Sequence, residues 1–198
     1  MNNKVESDIT SIMVFLKTIS QIKVGQKYNL YDDKINIIPN YVDIEMFKPI
    51  IRVNKIPGRV CFVGRLEEQK NLFSLFNAIE HVEKVKELFI IGDGSLKDEL
   101  VIKANNLSTK VTFSGIIPNL DLPEIIQSAE VFILPSLYEG MPKTLLEAMS
   151  CGMPCIGANS EGIKEIITNK GNGILCEHDS DSISYALSLL YNNEELRN

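Results

Sequence analysis

Two glutamates, Glu139 and Glu147, stand eight residues apart around the segment Gly140-Met141-Pro142-Lys143-Thr144. The apolar run Val131–Leu134 ends just before them, a glycine turn follows, and Pro142 is expected at the first position of a helix. The free amides of a first helical turn, with the Gly140–Lys143 turn, make a site that favours anions. Ionised carboxylates accept hydrogen bonds from paired hydroxyls. One glutamate can therefore meet sugar hydroxyls while the other meets a ribose. The plainer alternative is two exposed acids near a helix start, which that end of a helix favours anyway.

A second group of residues follows the run Val60–Val63. In Gly64-Arg65-Leu66-Glu67-Glu68-Gln69-Lys70, Arg65 and Lys70 are five residues apart at the mouth of a helix. Arg65 can fork onto phosphate oxygens and Lys70 can add a point charge, a pairing suited to a diphosphate. The alternative is a solvated loop carrying two basic residues beside Glu67 and Glu68. The segment lacks the Gly-Lys-Ser/Thr of a nucleoside-triphosphate loop. A third segment, Ile91-Gly92-Asp93-Gly94-Ser95, follows the run Leu88–Ile91. Gly92 and Gly94 allow a tight turn or a close approach to a ligand. Lys97 stands where a third glycine would complete a dinucleotide fingerprint, which argues against NAD.

These residues need a frame that brings separate loops to one place. Short β-branched runs at Val60–Val63, Leu88–Ile91, Val111–Phe113, Val131–Leu134, Cys155–Ile156 and Ile174–Cys176 read as strands buried on both faces. Helical segments are expected between them: Asn71–Val82, Leu96–Asn106, Leu120–Ala129, Pro142–Met149, Gly162–Ile167 and Ile183–Tyr191. Ser95 is the expected N-cap of the second, with Asp98 as its capping-box partner. Gly152 is expected to end the fourth in a left-handed conformation, with Pro154 preventing continuation. Strand–helix units in series give an α/β fold, a doubly wound parallel sheet of Rossmann type. Its ligands lie at the carboxyl ends of the strands. Residues 1–38 do not fit the series. Asp8–Ile22 reads as an amphipathic helix and Ile35–Ile38 as a short strand, together the tail of a preceding domain plus a linker, or an arm folded back on the sheet.

Composition bounds the rest. The chain has 198 residues, 44% hydrophobic and 23% charged, with a formal net charge of −6. A domain of this size buries roughly 70% of the surface its unfolded chain exposes. The acidic balance argues against nucleic acid and against an anionic membrane surface as partners. No apolar stretch approaches the ~20 residues that span a bilayer, and the polar N-terminus is no signal peptide, so a cytoplasmic location is expected. Cys61, Cys151, Cys155 and Cys176 read as small buried hydrophobes, with no second pair to complete a metal set. His81 and His178 read as surface residues.

The order of these segments resembles the C-terminal domain of group 1 (family 4) glycosyltransferases of the GT-B arrangement. The resemblance runs from about Ile35 to Arg197. It is carried by Ile38-Pro39-Asn40-Tyr41-Val42-Asp43 with Phe47-Lys48-Pro49, Gly64-Arg65-Leu66 with Lys70, and Ile91-Gly92-Asp93-Gly94. Phe113-Ser114-Gly115, Pro135-Ser136-Leu137-Tyr138-Glu139-Gly140, the Glu139/Glu147 pair, Glu161-Gly162-Ile163-Lys164-Glu165-Ile166 and Gly171-Asn172-Gly173-Ile174-Leu175 complete it.

The resemblance implies a nucleotide-sugar donor domain acting in metal-independent, retaining glycosyl transfer to a glycan or lipid-linked acceptor. Arg65, Lys70 and Glu139 would be catalytic. The cations would grip the donor diphosphate in place of a metal, and Glu139 would contact the transferred sugar. Gly64, Gly92, Gly94, Gly140, Met141, Pro142, Lys143 and Thr144 would line the donor. Glu147 would bond the ribose, and Ile116 and Ile117 would flank the base. No cofactor is implied beyond the donor itself, a UDP- or GDP-sugar. Tyr41 and Asn71 stand where the family usually has glycine. The expected partners are the nucleotide sugar and an acceptor-binding N-terminal domain, through which the enzyme would meet the inner face of the membrane. The chain is expected to be a fragment, truncated also at its C-terminal end and inactive alone. A non-catalytic nucleotide-sugar-binding subunit of a split enzyme is the alternative.

Overall fold

A computed structural model describes residues 40–197, of which Tyr41 onward forms one compact unit. The helix and strand expected within residues 1–38 lie outside the described residues. Six parallel strands form one sheet in the order β3-β2-β1-β4-β5-β6. They are β1 (Arg59–Val63), β2 (Glu87–Ile91), β3 (Lys110–Gly115), β4 (Val131–Leu134), β5 (Cys155–Ala158) and β6 (Ile174–Cys176). The helices between and after them are α1 (Leu72–Ile79), α2 (Lys97–Ala104), α3 (Leu122–Gln127), α4 (Lys143–Ser150), α5 (Glu161–Lys164) and α6 (Ser180–Asn192). This is the doubly wound arrangement expected from the alternating runs. The strand order reverses between β1 and β4, where such sheets place their ligand crevice.

The central strands form because their residues cannot be solvated on either face. All of Val131-Phe132-Ile133-Leu134 is buried, as are Val60, Cys61 and Phe62 beside it. Helix α1 presents Leu72, Leu75, Phe76 and Ile79 to this core and packs against α2 and α6, while α3 packs against α4. Each fully buried large apolar side chain contributes about 1.5–3 kcal/mol. The four cysteines are free and buried, as their setting implied.

Helix ends show which local signals decided. Gly152 takes φ 71° after α4; its amide bonds Met149 O at 2.9 Å and the next amide, Met153, bonds Ala148 O at 3.0 Å. This is the double carbonyl capture expected of a terminal glycine. Helix α6 starts three residues earlier than the periodicity indicated, because the Asp179 carboxylate accepts from the Ser182 amide at 2.8 Å and caps it. Ser95 does not cap α2. Leu96 occupies that position without a side-chain bond, because the Ser95 hydroxyl is already engaged elsewhere.

One ionic cluster ties β1, β2 and β3 together. The buried Glu87 carboxylate receives Arg59 at 2.7 Å, Lys110 at 2.7 Å and the Thr112 hydroxyl at 2.7 Å. Arg59 also lies 4.7 Å over the Phe89 ring. Burial opposes ionisation of Glu87, but the bonds from Lys110, Thr112 and Arg59 outweigh it and hold its pKa at about 2, against 4.5 ordinarily. A folded-state pKa below the unfolded one gives stability that is whole above pH 4.5 and is lost as pH falls through about 2. Acid titration of the unfolding midpoint should therefore show a loss in that window that Glu87→Gln lacks. Glu87→Ala, which strands the Arg59 charge, should cost ~3 kcal/mol at neutral pH.

Candidate functional site

The loops after β1, β2 and β4 meet at the carboxyl edge of the sheet. The first two are locked backbone to backbone. The Gly64 amide donates to Ile91 O at 3.0 Å, Leu66 to Asp93 O at 2.9 Å, and Leu96 to Leu66 O at 2.9 Å. A Cβ on Gly92 would lie 2.0 Å from the Gly64 carbonyl oxygen, and one on Gly94 would lie 2.5 Å from that of Leu66. Gly92 also has φ 135°. These glycines exist so that one loop can press on the other. Glu67 completes the lock, accepting from the Ser95 amide at 3.1 Å and the Ser95 hydroxyl at 2.6 Å. Those two bonds lead the influences that hold the Glu67 carboxyl below its usual range, with Arg65 a smaller one. Glu67 thus ties its loop to the next one, and its partner lies in a different unit of the sequence.

The loop after β1 is stitched equally to the loop after β4. Leu137 N bonds Gln69 O at 2.9 Å, and Gln69 Nε2 bonds Tyr138 O at 2.6 Å. Asn71 Nδ2 reaches both Pro135 O at 3.3 Å and His178 O at 2.8 Å. Asn71 has φ 55°, which explains why glycine suits this position and why asparagine, with its tolerance of the left-handed region, replaces it. Between these stitches Lys70 Nζ forms a short ion pair with Glu139 Oε1. Only 12% of the Lys70 side chain and 10% of the Glu139 side chain reach solvent. The sequence placed both residues at one rim without foreseeing that they bond each other. Arg65 is exposed and, among the described residues, makes no hydrogen bond or ion pair.

Helix α4 opens beside this pair. Pro142 is its N-cap rather than its first residue, with φ −71° and ψ 109°, and Lys143 is the first helical residue. The extended ψ makes Pro142 the last residue of the turn. Pro142 itself supplies no side-chain cap to this N-terminus. The Lys143 ammonium lies 5.8 Å over the exposed Tyr41 ring, a cation–π distance. Glu147 is 94% buried, and burial pushes its carboxyl above the usual range while Lys143 pulls it back. The alternative of two exposed glutamates near a helix start is therefore excluded. Gly162, at the start of α5, has no room for a side chain: a Cβ would lie 1.9 Å from Gly140 O. The Glu139–Gly140 turn thus rests directly on α5. Met141 and Thr144 are half-buried, as is Ile117, which packs on the core, whereas Ile116 is exposed.

His178 differs from its expected surface setting. It is half-buried, its carbonyl holds Asn71, and its Nε2 is buried without a partner. The hydroxyls of Ser136 and Ser160, next to the ends of β4 and β5, are also buried without partners among the described residues. Cavities of about 340 and 410 Å³ open at the opposite, amino edge, around Met153–Gly173 and around His81–Thr109. Neither touches the residues gathered here. The carboxyl edge has the Lys70–Glu139 pair, the start of α4 and the close-packed loops, and it is the edge at which doubly wound sheets place their ligands.

The family profile described as glycosyl transferases group 1 matches residues 43–198. An Escherichia coli UDP-Gal:alpha-D-GlcNAc-diphosphoundecaprenol alpha-1,3-galactosyltransferase is 35% identical over 179 residues, covering 80% of this chain and 46% of that protein. The chain spans about half the length of the curated relatives it matches. The crystal structure of the Anabaena protein HepE in complex with UDP-glucose superposes with a TM-score of 0.82 at 18% identity, covering 93% of this chain and 55% of that one. The C-terminal domain of a group 1 glycosyl transferase, LpcC from Francisella tularensis, superposes with a TM-score of 0.70 at 25% identity. It covers 79% of this chain and 91% of that domain.

The loop lock is testable without any ligand. Gly94→Ala must push the Leu66 backbone away, at ~1–3 kcal/mol. It should accelerate hydrogen exchange at the Leu66 and Leu96 amides beyond the global loss of stability. Gly152→Ala, strained only by its positive φ at ~1 kcal/mol, should leave those two amides protected. Equal acceleration in both variants would show that the lock is not where these loops are fixed.

Proposed function

The chain belongs to the group 1 glycosyl transferases, and from that premise we propose that it is the nucleotide-sugar-binding half of a metal-independent, retaining glycosyltransferase. What supports the proposal is the Lys70–Glu139 pair on the turn that leads into α4, with Arg65 exposed on the same loop as Lys70. A diphosphate presents two adjacent anionic groups. An exposed guanidinium, an ammonium five residues on, and free helical amides suit both. The E. coli relative's name specifies UDP-Gal as donor and a diphosphoundecaprenol-linked acceptor. A UDP-sugar is accordingly the donor we favour, with a GDP-sugar next, and a lipid-linked glycan the acceptor class. Contact with such an acceptor would bring the enzyme to a membrane surface. No helix among the described residues is long and apolar enough to cross one.

In the proposed reaction the bond between the sugar's anomeric carbon and the diphosphate oxygen breaks as an acceptor hydroxyl attacks from the same face. The departing diphosphate takes that hydroxyl's proton, so configuration is retained. Negative charge grows on the leaving diphosphate, and Arg65 and Lys70 stabilise it. Interactions that strengthen as charge develops lower the barrier most. Glu139 then serves the sugar hydroxyls. Glu147, buried in the second turn of α4, accepts from the ribose hydroxyls. Acceptor attack needs groups contributed beyond the donor crevice, and the chain alone should turn over little or no donor.

Calorimetric titration with UDP, GDP, NAD and the matching nucleotide sugars tests the reading. The expected outcome is preference for one nucleoside diphosphate, weakened at least tenfold by Arg65→Ala; in the complete enzyme that substitution should cost about 3 kcal/mol in the barrier. Equal, weak binding of every nucleotide by both proteins would sink it, and tight NAD binding would redirect it.

A further inference from the structure

Lys70 is the cation that bonds Glu139, the residue expected at the sugar, and that carboxylate already neutralises it. Both side chains are about nine-tenths withdrawn from solvent. The flanking backbones are pinned by Leu137 N to Gln69 O, Gln69 Nε2 to Tyr138 O, and Asn71 Nδ2 to Pro135 O. The turn bearing Glu139 is further backed by Gly162, against which its Gly140 carbonyl is pressed too closely for any side chain. Loop displacement is therefore blocked on two sides. A ligand that takes the Lys70 charge does so in competition with the Glu139 carboxylate.

We propose that the Lys70–Glu139 pair makes Glu139 an internal competitor of the diphosphate, so that the site discriminates a nucleotide sugar from the bare nucleoside diphosphate left after transfer. The inference rests on the reading of this site as a donor crevice. With a nucleotide sugar bound, the diphosphate takes Lys70 and the sugar hydroxyls donate to the released Glu139 carboxylate. Both halves of the broken pair regain a partner. With the nucleoside diphosphate alone, Lys70 gains phosphate but Glu139 is left with no donor, partly buried and close to a second anion. Leaving a desolvated charge unpaired is unfavourable, so Glu139 returns to Lys70 and the spent nucleotide is expelled. The pair thus penalises product more than donor.

The experiment is a double-mutant cycle on UDP binding with the chain as it stands, using wild type, Glu139→Gln, Lys70→Gln and the double variant. Glutamine at either position keeps the size of the side chain and removes its charge; circular dichroism and thermal midpoints verify that each variant is folded. Glu139→Gln should bind UDP about tenfold tighter than wild type, about 1.4 kcal/mol, and should reduce the preference for UDP-sugar over UDP. Lys70→Gln should weaken UDP. In the Lys70→Gln background, Glu139→Gln should change UDP affinity less than threefold, because the competitor then has nothing to compete for. Unchanged or weaker UDP binding by Glu139→Gln overturns the inference. So does equal tightening in both backgrounds, which would mean simple repulsion between Glu139 and phosphate. Should UDP bind wild type through Arg65 while either of those outcomes is found, the donor-site reading stands and only the competitor falls. Should wild type bind no nucleoside diphosphate, both fall.

Discussion

Two backbone segments pressed together more closely than any side chain allows are the constraint on which the rest depends. The Gly64 carbonyl occupies the space that a Cβ on Gly92 would need, and the Leu66 backbone does the same at Gly94. Because the loop after β1 is fixed to the loop after β2, Arg65 and Lys70 depart from a rigid base. The bonds from Gln69 and Asn71 then carry that rigidity to the loop after β4. The contact of Gly140 with Gly162 carries it to α5. Four βα connections become one floor. A parallel sheet delivers its connections to the same edge, but it does not align them; here the alignment comes from glycine contacts and the hydrogen bonds that cross between the loops.

Much of this frame was legible in the residues. Unbroken β-branched runs gave all six strands within one or two residues of their ends, since a strand buried on both faces admits little else. Gly152 with Pro154 marked the end of α4, because few other residues adopt its backbone there. What escaped notice depended on partners distant in sequence. Ser95 has the composition of an N-cap, but Glu67, 28 residues earlier, takes its amide and hydroxyl. Asn71 read as a mild departure from glycine; its φ of 55° shows a backbone demand, and its amide also joins Pro135 and His178. Gly171-Asn172-Gly173 has the composition of a turn, yet the residue at positive φ beside it is Lys170, with φ 60°. A signal for Glu67 did exist: an acid following Arg65 at the end of β1, opposite a loop containing serine. Nothing local distinguished it from Glu68.

Burial changes the meaning of the two glutamates. Sequence alone weighed them against ordinary surface acids at a helix start. With Glu139 only 10% exposed and Glu147 only 6%, neither has water as its principal partner. A desolvated carboxylate needs a cation or donors. Glu139 has found Lys70. At Glu147, among the described residues, Lys143 is the charge that opposes burial, and burial has the larger influence. The same helix therefore holds one carboxyl whose environment favours the neutral form, beside a turn that holds another in an ion pair.

The cations at this rim differ in readiness, and that difference orders events on the proposed reading. Lys70 is committed to Glu139 and Lys143 sits over Tyr41, while Arg65 is exposed and makes no ion pair among the described residues. An approaching diphosphate meets Arg65 first, at little desolvation cost, since a guanidinium is weakly hydrated and its fork matches phosphate oxygens. The α4 amides come next and require no rearrangement, being fixed in the backbone. Lys70 comes last, because its existing partner has to be displaced. Charge stabilisation is thus staged from the solvent inward. On that reading Lys70, already paired with Glu139, becomes available only once that carboxylate has another donor.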